Sequence, residues 1–380
     1  MRIRCFPLDR CGLAFVALAF ASGLPGANAQ GTAADNEDPY LTYTGVHDTV
    51  AGGASAAETY GLDELGCSTD GSCCGRGRRV YVEAEALILD RDNGSSRRPV
   101  VIDTSQTGAT GELLSTRDTD FDVAGGARFL LGFQPPGCRW CLAWEIGYMG
   151  VYDWEGSSVV SGANNLGIPG DLGLASNDFF GADAVRVDYD SELHSAEFNC
   201  VRRVYCCCCC GKGTTVDVLG GFRYFSLDET FNINSTDFDE GTSDYRVETD
   251  NNLYGFQLGA RVRRCHGCFA WLATVKAGIY GNDAEQSQSV TDFPPPFQLR
   301  TPRSSSGGDT AFVGEINLGL SYQVTKVWSV IGGYNVLWLD GLALAPDQLD
   351  FTFASDSGTA LNHNGGAFFH GASVGVAARW

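Results

Sequence analysis

The chain has 380 residues, 44% of them hydrophobic and only 19% charged, with 49 Gly, a length that allows one large domain or two ordinary ones. No apolar run approaches the ~20 residues that a membrane-spanning helix needs. A net charge of −20 excludes a nucleic-acid partner, because phosphates call for Lys and Arg.

Residues 1–29 read as a secretory leader. Arg2, Arg4 and Arg10 give a basic start, residues 12–24 an apolar stretch, and Ala27-Asn28-Ala29 a small-x-small cleavage site. The stretch is too short for an uncleaved anchor helix. Residues 30–79 are rich in Gly, Ala, Asp and Glu and read as a flexible, Cys-containing periplasmic segment; a plug within the domain that follows is the alternative.

From residue 80 onward, segments of about ten residues alternate apolar with polar or small, the signature of a transmembrane strand. The first, 80–90, sends Val82, Ala84, Ala86 and Ile88 out and Tyr81, Glu83, Glu85 and Leu87 in. The second, 121–133, puts Ala127, Phe129, Leu131 and Phe133 out and Arg128 in. A turn with Pro135-Pro136-Gly137 leads to a third strand from Leu142, with Trp144, Ile146 and Tyr148 out and Glu145 in. The fourth, 184–201, leaves inside and outside open. The fifth, 214–227, has Val216, Val218, Phe222 and Tyr224 out, and Asp217 and Arg223 in. The sixth, 252–263, has Tyr254, Phe256, Leu258, Ala260 and Val262 out, and Gln257, Arg261 and Arg263 in. Strands at 269–280 (Lys276 in), 311–324 (Glu315 and Asn317 in), 328–339 and 366–380 follow.

This predicts an all-β, antiparallel up-and-down transmembrane barrel of about ten strands, 12 being the alternative count. Additional strands fit best at 97–103 or 156–183. Short periplasmic turns are expected at one end. Long acidic loops, near 91–120, 153–184, 228–250, 283–309 and 340–364, are expected at the other. A soluble sandwich or lipocalin-like barrel would place its polar residues outside, opposite to the pattern here. Trp380 ends the last strand on its apolar face and resembles the signal read by the barrel assembly machinery. The expected surroundings are outer-membrane lipid and lipopolysaccharide, the latter bridged to the acidic surface by divalent ions.

Several strings resemble the putative beta barrel porin-7 family of planctomycete-type outer-membrane proteins. They are Val82-Glu83-Ala84-Glu85-Ala86-Leu87, Trp144-Glu145-Ile146-Gly147-Tyr148, Ser191-Glu192-Leu193-His194-Ser195-Ala196-Glu197-Phe198-Asn199, Gly255-Phe256-Gln257-Leu258-Gly259 and Tyr334-Asn335-Val336-Leu337-Trp338, with Ala345-Pro346-Asp347-Gln348 after it. The resemblance covers roughly 80–380. It implies a porin and no catalytic residues.

Of the 15 Cys, Cys5 and Cys11 fall in the leader. Cys67, Cys73 and Cys74 precede the first strand. Cys138 and Cys141 flank the first turn, Cys200 and Cys206 to Cys210 are placed in the second, and Cys265 and Cys268 flank the third. All are expected at the periplasmic end. In an oxidising compartment Cys67, Cys73, Cys74, Cys138, Cys141, Cys200, Cys265 and Cys268 are disulfide candidates, with zinc at the paired CxxC spacings and a disulfide-linked envelope partner as alternatives; the run Cys206 to Cys210 cannot all pair locally.

The inward residues Glu83, Glu85, Arg128, Glu145, Asp217, Arg223, Arg261, Lys276 and Glu315 form a charge ladder whose opposite signs should pair. Ten strands leave only a narrow or closed lumen, because eight are about filled by side chains. Asp237-Phe238-Asp239-Glu240 reads as solvated surface, or as a calcium site. Phe293-Pro294-Pro295-Pro296-Phe297 is a stiff loop element. His363, with Ser357 and Asp356 near it in sequence, forms no catalytic motif. No enzyme activity, cofactor or metal is expected. The expected function is a porin-like passive channel for small polar solutes or cations; the alternative is a non-conducting structural or adhesive barrel anchored through a Cys-rich periplasmic face.

Overall fold

The computed structural model describes residues 79–105, 111–135, 142–209, 212–293 and 297–380. The leader, the segment to residue 78 with Cys67, Cys73 and Cys74, and the residues Cys138, Cys141 and Cys210 lie outside these.

The described strands are β1 (Arg79–Asp92), β2 (Pro99–Asp103), β3 (Glu112–Ser115), β4 (Ala124–Gln134), β5 (Leu142–Gly167), β6 (Phe180–Cys209), β7 (Lys212–Asp237), β8 (Gly241–His266), β9 (Phe269–Phe293), β10 (Phe297–Gln323), β11 (Trp328–Leu342) and β12 (Gly365–Arg379). Strands β2 and β3 form a small side ribbon on β5. The other ten close a ring of antiparallel neighbours, through β5–β6 on one side and β1–β12 on the other. Just past the end of β12, Val80 and Trp380 exchange both backbone hydrogen bonds, at 3.1 and 2.9 Å. Closure matters because an unpaired backbone group in hydrocarbon costs several kcal/mol.

The outward face carries an apolar belt. On β7 it runs from Val216 to Tyr224, on β8 from Tyr254 to Val262, and on β9 from Trp271 to Ile279; Phe256, Leu258 and Ile279 are among its most exposed members. These lengths match the ~9–11 residues with which a tilted strand crosses the hydrocarbon. Aromatic rings edge the belt: Tyr224 and Tyr254 lie 4.9 Å apart at one margin, Phe269 and Tyr322 4.9 Å apart at the other.

The strands do not stop where the belt stops. Beyond Tyr224, β7 continues with Asp228, Thr230, Asn232 and Asn234 outward and Phe231, Ile233 and Ser235 buried inward. β8 does the same, with Asp244, Arg246 and Glu248 outward and Tyr245 and Val247 inward. The period of two is unbroken, but its sense inverts where lipid gives way to water. The segments 153–184, 228–250 and 283–309, expected as loops, are therefore mostly strand. β6 reaches 30 residues and β10 27, against 11 for β4 and 15 for β11 and β12. Of the proposed extra strands, residues 99–103 form β2 beside the ring, and 156–167 and 180–183 lengthen β5 and β6. Phe121, expected in the second strand, precedes β4 and is buried against Tyr189, ring centroids 4.5 Å apart.

Two further placements differ from expectation. Cys200 and Cys206 to Cys209 belong to β6 rather than to a turn; Cys200 is registered between Trp144 and Gly220, on the outward face with Phe198. Part of the 340–364 connection, expected as an outer loop, folds inward: residues 342–349 are buried, while most of 351–364 stays at the surface. Leu342, Ala343, Leu344, Ala345 and Leu349 are fully or almost fully buried. A short 3-10 turn, Ala345–Gln348, sits against β7 and β8.

If the belt is solvated by lipid, Leu258→Arg should destabilise the barrel by ~2–4 kcal/mol, whereas Asn232→Arg, on the same face beyond the belt, should be nearly neutral. Urea titrations of protein refolded into vesicles compare the two; equal effects would contradict this placement.

Candidate functional site

The inverted pattern divides the interior into a charged half inside the belt and an apolar half beyond it. In the charged half, Glu197 on β6 stands directly across from Arg223 on β7, and Lys276 on β9 across from Glu315 on β10. Lys276 Nζ lies 2.9 Å from both Glu197 oxygens and 3.5 Å from Glu315. Arg223 bonds the Glu315 carboxylate and lies 3.8 Å from Glu197. Two acids and two bases thus close a ring across the lumen. Arg223 Nε also donates to Ser195 Oγ at 2.8 Å, and Gln257 donates to Glu197 at 2.7 Å. Such partners are what offset the cost of taking charges out of water. Space for the ring comes from Gly147: a Cβ there would fall 2.9 Å from Glu197 Cγ.

Nearer the turn end, Arg261 grips Glu145 with two bonds of 2.6 and 2.9 Å, and Tyr81 donates to the same carboxylate. Arg128 pairs with Glu85, and Arg203 Nε with Asp217 at 2.8 Å. Tyr81, Glu85, Arg128, Arg203, Asp217 and Arg261 line a cavity of about 640 Å³ that extends to Arg79, Gln134, Lys326 and Trp380. The lumen thus holds Glu83, Glu85, Arg128, Glu145, Asp217, Arg223, Arg261, Lys276 and Glu315. Glu197 was missed because the facing of β6 was left open, and Arg203 because the strand, expected to end at residue 201, continues to Cys209. The signal was present: Leu193, Ser195, Glu197, Asn199 and Val201 share one parity and all face in.

The opposite half is packed shut. Phe225, Leu227, Phe231, Tyr245, Tyr280 and Phe369 belong to one buried cluster with Leu342, Leu344 and Leu349 of the inward segment. Arg91 and Glu229, both with fully buried side chains, form an ion pair inside it. The Arg91 guanidinium lies 4.5 Å from the Phe121 ring centre and 5.6 Å from that of Phe369. The Glu229 carboxylate also accepts the Ala345 N–H at 2.8 Å. Asn251 bonds the backbone N–H and C=O of Ala343 at 2.8 and 2.9 Å; Gln288 donates to Gln348 O at 2.6 Å, and Arg300 to Asp350 O at 2.9 Å. A row of inward amides on β8 and β9 therefore supplies the partners that an irregular buried backbone requires.

A second piece, residues 168–179, caps the rim and joins this segment through a Leu172 N–H to Phe351 O bond of 2.9 Å. There Ser243 Oγ lies 3.1 Å from Asp178 and 3.0 Å from Asp292. Burial, reinforced by Asp292, raises Asp178 from its ordinary 3.8 to about 6.

The other candidates are scattered. The Asp237 side chain accepts the backbone N–H groups of Asp239 and Glu240, making a tight turn around exposed Phe238. No group of three metal-ligating side chains converges among the described residues. The Ser357 hydroxyl is bonded to Thr352 Oγ1 and to the Ala354 N–H, and no hydrogen bond joins it to His363 among the described residues. Cys265 lines the cavity and Cys268 is exposed in the β8–β9 turn, each with a free thiol. β9 ends at Phe293 and β10 begins at Phe297; Pro294, Pro295 and Pro296 of the proline stretch lie outside the described residues.

A closed ring with a lipid-facing belt and a charged interior defines a transmembrane β-barrel of the outer-membrane kind. The sequence matches the putative beta barrel porin-7 family over residues 81–292, more than half of the chain, and the protein belongs to that family. No curated protein sequence matches. Among solved structures, the chain is similar to the outer membrane protease OmpT of Escherichia coli, with 9% identity, 79% of this chain and 95% of that chain covered, and a TM-score of 0.38. It is also similar to a FadL homologue of Pseudomonas aeruginosa, with 8% identity, coverage of 80% and 90%, and a TM-score of 0.24.

Removing one member of the charge ring leaves buried charge uncompensated. Arg223→Met is expected to cost ~3–5 kcal/mol, read as a lower urea midpoint in the heat-modifiable gel shift; Arg246→Met, in an exposed pair with Glu248, should change little. At the rim the sign is set by a raised folded-state pKa. The rim's stability is full below about pH 4 and falls as pH rises through about 6. Hydrogen exchange at 171–179, corrected for intrinsic rate, should quicken over that range, and Asp292→Asn should flatten the dependence.

Proposed function

We propose that this protein is a non-conducting barrel, one that holds a place in the outer membrane and displays its extended, polar-faced wall, rather than an open pore. The observation that carries the reading is the inward stretch 342–349 of the 340–364 connection. It is packed into a buried cluster that spans the interior and is held by Glu229, Asn251, Gln288 and Arg300. Water-filled porins need 16–18 strands, and a ten-stranded ring with an interior packed in this way fits a closed lumen.

Cys265 and Cys268, at the turn end, fit covalent anchorage there, with the other Cys of that end as partners in an oxidising compartment. The acidic outer wall suits lipopolysaccharide bridged by divalent ions, and insertion by the barrel assembly machinery fits a strand ending in Trp380. A periplasmic turn end and a cleaved leader at residues 1–29 belong to the same reading. The passive channel for small polar solutes or cations would require the 340–364 segment to leave the lumen and the apolar cluster to part.

Planar-bilayer recordings decide between them. The purified barrel should give no steady conductance steps at 100 mV. Reproducible, cation-selective steps from the unmodified protein would overturn the closed reading.

A further inference from the structure

The cavity at the turn end carries an imbalance that the ladder does not explain. Arg128, Arg203, Arg223, Arg261 and Lys276 each have a carboxylate. Four more cations line the same space toward the strand ends: Arg79, Arg263, Lys326 and Arg379. None has a carboxylate within ion-pair distance among the described residues, and Glu83 is the one acid among them without a partner at that distance. The largest electrostatic influence on Arg379 is repulsion from Arg263, ahead of the attraction of Glu83. This surplus sits inside a chain whose net charge is −20, so it runs against the general bias of the protein.

Like charges gathered in a recess with low-dielectric walls focus a field on whatever enters. Guanidinium groups present paired donors that match phosphate and carboxylate oxygens. The volume, about 640 Å³, falls in the ~300–1,000 Å³ range of small-molecule sites. Leu130, Leu272 and Val201 add apolar wall beside the charges. The packed half beyond Glu197, Arg223, Lys276 and Glu315 makes the recess a dead end, which suits retention rather than passage.

We propose that the turn-end cavity is a binding site for a small soluble oxyanion, a phosphate-bearing molecule held by Arg263 and Arg379 with Arg79 and Lys326 at the entrance. The site stands whether or not the barrel conducts. An anionic lipid headgroup shares the chemistry, but Arg263 and Arg379 share the inward parity of β8 and β12 and line the cavity, and this favours a soluble ligand.

The test uses the full chain refolded in a neutral detergent at low salt, with sodium pyrophosphate as probe. Calorimetry should show saturable 1:1 binding, weakened at least tenfold in the Arg263→Gln/Arg379→Gln double variant and unchanged in Arg97→Gln, a surface arginine paired with Glu112. A second readout needs no variant. In reduced wild-type protein, pyrophosphate should slow maleimide labelling of Cys265, which lines the cavity, but not of exposed Cys268. Absence of saturable binding, equal binding by the double variant, or unchanged Cys265 labelling at saturating pyrophosphate overturns the proposal. So does protection of Cys265 by phosphatidylglycerol micelles alone, which would assign the cations to lipid.

Discussion

Every feature of this protein descends from one requirement: in hydrocarbon no backbone N–H or C=O can be left without a partner. The ring of ten strands satisfies it, and the closing contact is the pairing of β1 with β12, sealed by the two bonds between Val80 and Trp380. Once the ring is closed, strand geometry sends alternate side chains to opposite faces. The outside is then fixed by lipid. The inside has to be filled by what remains, and this chain fills it in two ways, with paired charges across the belt and with apolar packing beyond it.

The sequence made the belt legible and hid the rest for a physical reason. Segments such as 252–263 and 269–280 alternate with the apolar set outward, and each is a strand at those positions. Past the belt the same alternation carries polar residues outward, as in Asp228-Glu229-Thr230-Phe231-Asn232-Ile233. Judged by how apolar its outer face is, such a stretch looks like an acidic loop; judged by period alone, it is a strand. The Cys206–Cys209 run misled in the same way, since cysteine suggested a turn while β6 simply continues.

The inward segment was harder to see. The apolar run Leu342-Ala343-Leu344-Ala345 hints at burial, but the side chains that receive it are distant in sequence. Asn251, Gln286, Gln288 and Arg300 read as ordinary polar residues until β8, β9 and β10 are placed side by side. The charge ladder was legible wherever strand facing was known and blank where it was not. That is why Glu197, which holds Lys276 and completes the ring with Arg223 and Glu315, went unrecognised.

The link between Arg91 and Glu229 joins β1 to β7, strands that are not neighbours in the sheet and whose residues stand 138 positions apart in the chain. A pair like this has no local precursor. It cannot form within any single hairpin, and it gains its aromatic surroundings only after β12 delivers Phe369. Formation of the pair therefore waits on the closing strand, and this half of the interior is sealed only once β1, β7 and β12 stand together.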